Sequence, residues 1–212
     1  MKKGNYIHKF VFIVKYREFE IKEVIYPMNV RSVAKRAALA VPAMLSFTIG
    51  MSLAHANVWE GRWKNPDSIP YVNNVSGNSV LKSFVNDAAL DNWNNNQTTL
   101  TFEKSRSTTG RHIEVENVNF SSVTWTAIAN GADGNWDSKG YYKGIEIQIN
   151  EAKIEDYSDF QLLGVIAHEF GHAVGLKHQS GSKKYLMYPY DDRDTNIISS
   201  KEKKILEIHY TD

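Results

Sequence analysis

Hydrophobic residues alternate with polar ones along several short stretches of the chain after residue 57. The clearest stretch is Gly144–Asn150, in which isoleucine occupies every second position. A period of two residues is that of a β-strand with one buried face. Strands are also predicted at Ile69–Val72, Leu100–Glu103, His112–Val118 and Thr124–Ala129. We expect these segments to build one β-sheet.

Two longer stretches follow helical spacing instead. From Val80 to Trp93 apolar residues recur every three or four positions, which predicts an amphipathic helix that stops at the asparagines 94–96. The second stretch begins with Ser158-Asp-Phe-Gln161, a capping-box sequence, and is more apolar than a surface helix should be. This helix is predicted to run through the centre of the domain and to end in a left-handed turn at Gly175.

A further capping sequence, Ser199-Ser-Lys-Glu202, precedes Ile205, Leu206 and Ile208 and predicts a short last helix. The elements together predict an α+β fold, in which one sheet packs on two large helices and is followed by a small C-terminal helical part.

The N-terminal part of the chain has the pattern of a targeting segment. Ala37–Ala54 carries no charge, follows a basic stretch at 31–36 and is closed by Ala54-His55-Ala56. Basic, apolar and small-x-small segments in this order are typical of a secretory signal peptide. We predict that residues 28–56 are a signal peptide cleaved after Ala56, so that the protein meets the membrane only during export and is then secreted. An uncleaved segment would anchor it, since 18 residues just reach the length of a bilayer span.

Residues 1–27 are interpreted either as an upstream extension or as the result of a mis-assigned start, because Met28 directly precedes the basic stretch. Residues 57–212 are predicted to form one catalytic domain. Their net charge is −5, whereas residues 1–56 carry +6. An acidic domain has no electrostatic surface for nucleic acid, so no nucleic-acid partner is expected. The chain contains no cysteine, which excludes disulfides, a thiol nucleophile and thiolate metal ligands.

The candidate chemistry lies near the end of the central helix, which reads His168-Glu169-Phe-Gly-His172-Ala-Val-Gly175-Leu-Lys-His178. Residues four apart lie one helical turn apart, so the imidazoles of His168 and His172 project from one face and can grip a metal ion. Glu169 is rotated by about 100° from them and is better placed to hold a metal-bound water than to act as a ligand. A turn at Gly175 would bring His178 to the ion as a third ligand.

The string His-Glu-x-x-His-x-x-Gly-x-x-His resembles the signature of the metzincin zinc endopeptidases. Downstream, Tyr185-Leu-Met187-Tyr-Pro189 resembles their methionine turn in the form that matrixins have. The order of strands and helices over most of 57–212 is also similar to that of a bacterial matrixin catalytic domain.

The resemblance implies a secreted zinc endopeptidase acting on proteins or peptides, with a metzincin-like catalytic domain built on a twisted mixed sheet. His168, His172 and His178 would bind one zinc ion, and Glu169 would activate a zinc-bound water as general base and acid. Met187 would lie beneath the metal. The resemblance further implies that an extended substrate binds along an edge strand, here the segment Thr124, Trp125, Thr126, Ala127, Ile128, Ala129. The protein is expected to be a monomer.

Several alternatives stay open at this point. The chain can be a zinc hydrolase that acts on cell-wall peptides, or a non-catalytic metal-binding module of the same fold, although such a module would not need Glu169. The substrate segment can be a covered inner strand. Calcium is possible at Asp133 and Asp137, but a solvated turn is the favoured interpretation of the sequence around them.

Overall fold

The structure is a computed structural model that describes residues 57–211. The predicted signal peptide 28–56, its cleavage site after Ala56 and the extension 1–27 lie outside these residues. Within residues 57–211, no helix is both long enough and apolar enough to cross a membrane.

The sheet has five strands: β1 (Ile69–Asn73), β2 (Phe102–Ser105), β3 (Ile113–Val118), β4 (Ala127–Asn130) and β5 (Ile145–Asn150). Their spatial order is β2-β1-β3-β5-β4. The three pairs formed by β2, β1, β3 and β5 are parallel. Strand β4 pairs antiparallel with β5 at the edge of the sheet. The sheet is therefore mixed, as predicted, and the part of the expected edge segment that forms strand β4 lies at an edge.

Two strands begin two or three residues later than the sequence pattern predicts. Strand β2 starts at Phe102 rather than Leu100, because the side-chain oxygen of Gln97 accepts hydrogen bonds from the backbone amides of Thr99 and Leu100. Strand β4 starts at Ala127, so residues 124–126 of the predicted segment precede it. The hydroxyl of Thr126 donates to Asp191 at 2.7 Å, which ties this stretch to a distant loop.

The first long helix is continuous but changes its winding. Helix α1 (Ser79–Asn86) begins at Asn78, whose side chain accepts from the amide of Leu81 at 2.9 Å. It continues as a π-helical stretch over Asp87–Trp93 and as α2 over Asn94–Asn96, so the asparagines form the last helical turn. The indole of Trp93 is buried and donates to the backbone carbonyl of Ala167, which joins this helix to the central one.

The central helix α4 spans Asp159–Ala173 and follows the short helix α3 (Glu151–Ile154). Its capping box at Ser158 and Gln161 is present as predicted. From Gly164 to Ala173 every residue is buried, and Phe170 packs against Tyr71 of β1 and Phe102 of β2. Burial on all sides keeps this helix fixed between the sheet and the rest of the domain.

The last helix, α5, spans Ser200–Thr211. Its buried residues include Ile205 and Leu206, which join the main hydrophobic core. Near its end, Tyr210 donates to the carbonyl of Val174, and a His209 ring nitrogen lies 2.9 Å from the carbonyl oxygen of Gly61. This helix thus packs behind the end of α4, where the candidate site begins. The α+β architecture predicted from the sequence is confirmed.

Candidate metal centre

Three histidines converge at the end of helix α4. His168 and His172 lie one turn apart, and both are buried. Gly175 has a φ of 99°, which favours glycine, and it turns the chain after the helix. The returning segment carries His178, whose Nε2 atom lies 3.1 Å from Nε2 of His172 and 3.2 Å from Nε2 of His168. The structure therefore brings together all three residues that the sequence proposed as ligands.

Backbone carbonyls fix the tautomer of the two buried rings. The Nδ1 atom of His168 lies 2.7 Å from the oxygen of Leu186, and Nδ1 of His172 lies 2.8 Å from the oxygen of Leu176. A carbonyl oxygen can only accept, so each Nδ1 must carry the hydrogen. In the neutral ring, Nε2 is then unprotonated, and its lone pair is directed at the neighbouring rings.

The environment keeps these rings neutral. Burial lowers the pKa of His172 to about 4, and it lowers the pKa of His168 well below the ordinary value. Burial, assisted by the nearby Arg193 guanidinium, also lowers the pKa of His178. Neutral imidazole is the form that binds metal ions.

The donor set fits a zinc ion. The Nε2 lone pairs of His168 and His172 both face Nε2 of His178, and a single hydrogen on that atom could be donated to only one of them, whereas a cation between the rings satisfies all three. Ligands about 2.0–2.1 Å from a tetrahedral zinc ion are about 3.3–3.4 Å apart, close to the two spacings found here. Within the part of the chain that the structure describes, these histidines form the one group of three or more side chains suited to hold a metal.

Glu169 lies beside the three histidines and is also buried. Its Oε2 atom has no hydrogen-bond partner among residues 57–211. Burial raises the pKa of the Glu169 carboxyl to about 8, while the Arg193 guanidinium and the backbone amide of Ala129 act in the opposite direction. A buried carboxyl with an unoccupied oxygen beside three histidines is suited to exchange a proton with a bound water.

Met187 is fully buried and lies against helix α4 at Gly171, between the first two histidines. A Cβ atom at Gly171 would overlap the Met187 sulfur and lie 3.2 Å from its methyl carbon. The close packing places the predicted methionine turn directly against the turn of helix that carries His168 and His172.

The buried carboxylate of Glu202 supports the methionine turn, a role that the sequence did not reveal. It accepts from the amides of Leu186 and Met187 at 3.1 and 2.7 Å. It also accepts from the amide of Ser199, as the capping sequence predicted, and from the Ser199 hydroxyl. Because the oxygen of Leu186 faces His168, this carboxylate fixes the backbone that orients a candidate ligand.

A cleft of about 580 Å³ opens over Glu169, His172 and His178. The edge strand β4 lines it with Ala127, Ile128, Ala129 and Asn130. Thr124, Trp125 and Thr126 do not line this cleft. Trp59 and Lys177 do, although neither was proposed from the sequence. No sequence pattern indicated Trp59, because it lies in a short segment without hydrophobic periodicity.

Arg193 is another residue near the candidate site that the sequence did not indicate. Its guanidinium is buried, donates to the oxygen of Tyr188 and lies 3.5 Å from an oxygen of Asp191. The other oxygen of Asp191 accepts from Thr126 and Tyr157, both at 2.7 Å. The pair thus connects the loop after Met187 with the start of strand β4, and its charges act on Glu169.

The two aspartates considered for calcium differ in their surroundings. Asp137 pairs with Arg111 at 2.8 Å and accepts from the amides of Lys139 and Tyr141. The hydrogen bond from Arg111 is the main reason that the Asp137 pKa falls to about 2. Asp133 lines the cleft beside β4. Asp137 therefore organises a turn, in agreement with the interpretation favoured from the sequence.

Comparison with known proteins adds the family relationship. Residues 67–210 match the peptidase family described as matrixin. A solved structure of myroilysin aligns with a TM-score of 0.49 and 14% sequence identity, covering 74% of this chain and 98% of that chain. No curated protein matches the chain.

Proposed function

Because this chain belongs to the matrixin family of zinc-dependent peptidases, we propose that it is a secreted zinc endopeptidase in which Glu169 transfers the protons of peptide hydrolysis. His168, His172 and His178 would hold one zinc ion. The observation that carries the proposal is the convergence of three neutral Nε2 atoms beside a buried carboxyl with an unoccupied oxygen.

When bound, zinc supplies Lewis acidity, which polarises a peptide carbonyl and makes water a stronger acid. The other steps belong to the residues of the chain. Glu169 accepts a proton from the attacking water and donates it to the departing amine nitrogen. The carbonyls of Leu176 and Leu186 hold the ligand rings in the orientation that leaves Nε2 free. No covalent bond between enzyme and substrate is required.

The substrate would lie along strand β4. This strand pairs with β5 on one side and lies at the sheet edge, beside Glu169. An edge strand offers backbone amides and carbonyls to which an extended peptide can add as a further strand. Because main-chain bonding is indifferent to most side chains, we expect broad specificity with preferences set by the cleft.

The first test is digestion of unfolded casein by protein produced from the full chain, with zinc, with a chelator, and with zinc restored after chelation. We expect cleavage that the chelator abolishes and zinc restores. Release of cell-wall peptides without cleavage of casein would instead make the protein a hydrolase of another class. A zinc-loaded protein that hydrolyses neither would be a binding module.

The second test separates metal binding from proton transfer. Glu169→Ala should retain zinc, because the three histidines supply the ligand atoms, and should lose about 10²–10⁴-fold in rate with the general acid–base group. Zinc content is measured by metal analysis and the rate by peptide cleavage. Glu207→Ala, which removes an exposed carboxylate on α5, is the control and should cleave like the parent. Equal rates for the Glu169 variant and the parent would refute the assigned role.

A further inference from the structure

We propose that Trp59 is a specificity-determining residue, which forms a wall of the substrate cleft and receives an apolar side chain of the peptide. The inference rests on the proposed peptidase function and extends it to a residue outside the segment 67–210 that matches the family.

Backbone pairing holds Trp59 at the site. Residues 57–59 run antiparallel to the segment that leaves helix α4 and leads to His178. The amide of Trp59 donates to the carbonyl of Gly175, and the amide of Lys177 donates to the carbonyl of Asn57, both at 2.8 Å. Val58, paired with Leu176, is buried in the core. Since successive side chains of an extended segment point to opposite sides, Trp59 points to the side opposite Val58, and its half-buried ring packs against the outside of the core.

Trp59 lines the cleft and is half-buried. Its ring centroid lies 5.1 Å from that of His172, with the planes tilted by 49°. The ring therefore lies beside a candidate zinc ligand. Substrate residues next to the cleaved bond would bind close to this position. The same cleft contains Glu169 and the residues of strand β4.

The chemistry of this wall favours an apolar partner. An indole face offers a large apolar area that is fixed by few torsions, and the facing strand contributes Ala127, Ile128 and Ala129 to the same cleft. A leucine or phenylalanine side chain placed there would bury apolar surface on Trp59, whereas alanine would leave that surface exposed to water.

The test compares the parent, Trp59→Ala and Trp59→Phe, each produced from the full chain and loaded with zinc. The substrates are peptides with leucine or alanine at single positions on either side of the cleaved bond. We expect the parent to prefer leucine at one position by about tenfold or more, the range that a few methylene groups give in an apolar pocket. Trp59→Ala should reduce that preference to about twofold or less, and Trp59→Phe should retain most of it.

Zinc content and zinc affinity distinguish this role from a structural one. Both should be unchanged in Trp59→Ala, because the bonds of residues 57–59 to 175–177 are made by the backbone. The control is Phe160→Ala, which removes an exposed aromatic ring at the start of α4, outside the residues that line the cleft. It should change neither the rate nor the preference.

Two results for Trp59→Ala would overturn the inference alone: an unchanged preference for leucine, or an equal loss on all peptides together with weaker zinc binding. A zinc-loaded parent that cleaves none of the peptides would overturn the proposed function, and the inference would fall with it.

Discussion

At Gly171, the helix that carries the candidate zinc ligands comes into direct contact with the methionine turn. The absence of a side chain lets the sulfur of Met187 approach the helix backbone between His168 and His172. The family signature allows any residue at position 171, whereas the contact with Met187 in this fold leaves no room for a side chain. A single missing Cβ therefore contributes to the position of the candidate metal ligands.

We expect Gly171→Ala to destabilise the protein by about 1–3 kcal/mol, the cost of overpacking a tight core, and to weaken zinc binding. The buried Met187 must move to admit the new methyl group. Denaturant unfolding and a zinc competition titration measure the two effects.

The matched control lies on the same helix. At Gly164 the nearest atom to an added Cβ is 3.6 Å away, an ordinary contact. Gly164→Ala should therefore stabilise the protein by about 0.5–1 kcal/mol, since alanine is the better helix former. If the two variants have the same stability, the contact with Met187 is not the constraint described here.

At the scale of elements, helix α5 and the methionine turn share one carboxylate. Glu202 receives four hydrogen bonds, all from donors. An amide in its place would direct an NH₂ group at some of these donors. We expect Glu202→Gln to lower the free energy of unfolding by about 1.5–3 kcal/mol, the range for hydrogen bonds to a charged group.

Thermal and denaturant unfolding measure this loss, and zinc affinity should fall with it because Leu186 orients His168. Glu207→Gln on the same helix is the control. Its carboxylate is exposed and pairs with Lys204, so the change should stay within about 0.5 kcal/mol. Similar losses in both variants would attribute the effect to the helix as a whole rather than to the shared carboxylate.

Strand β4 gives a second prediction at this scale. Proline at Ala127 or at Ile128 removes a backbone donor and fixes φ. Because successive amides of an edge strand point alternately to its neighbour and away from it, one of the two variants should impair peptide cleavage far more than zinc affinity. Peptide kinetics and metal titration on the folded variants provide the comparison. Unchanged cleavage in both would place the substrate elsewhere.

At the scale of the whole molecule, the open prediction is export. The basic, apolar and small-x-small pattern predicts that signal peptidase removes the segment ending at Ala56. N-terminal sequencing of protein recovered from the culture medium should therefore begin at or near Asn57. Recovery of the intact segment Ala37–Ala54 only from membranes would replace secretion by anchoring.

The sequence by itself determined the elements and the chemistry that depend on neighbours within one helical turn or one strand. The alternation of Gly144–Asn150 predicted β5, and Ser158 and Gln161 predicted the start of α4. The spacing of His168 and His172 and the glycine at 175 predicted which rings would meet. These features are local, so the pattern of a few residues is enough to specify them.

Only the tertiary structure decided which distant residues lie against the candidate site. Trp59 reaches His172 through backbone pairing, and Glu202 reaches Met187 from another helix. The later start of β2 depends on a glutamine side chain that occupies the backbone amides before it. Such contacts depend on how the elements pack against one another, and packing joins residues whose separation along the chain leaves no periodic trace in the sequence.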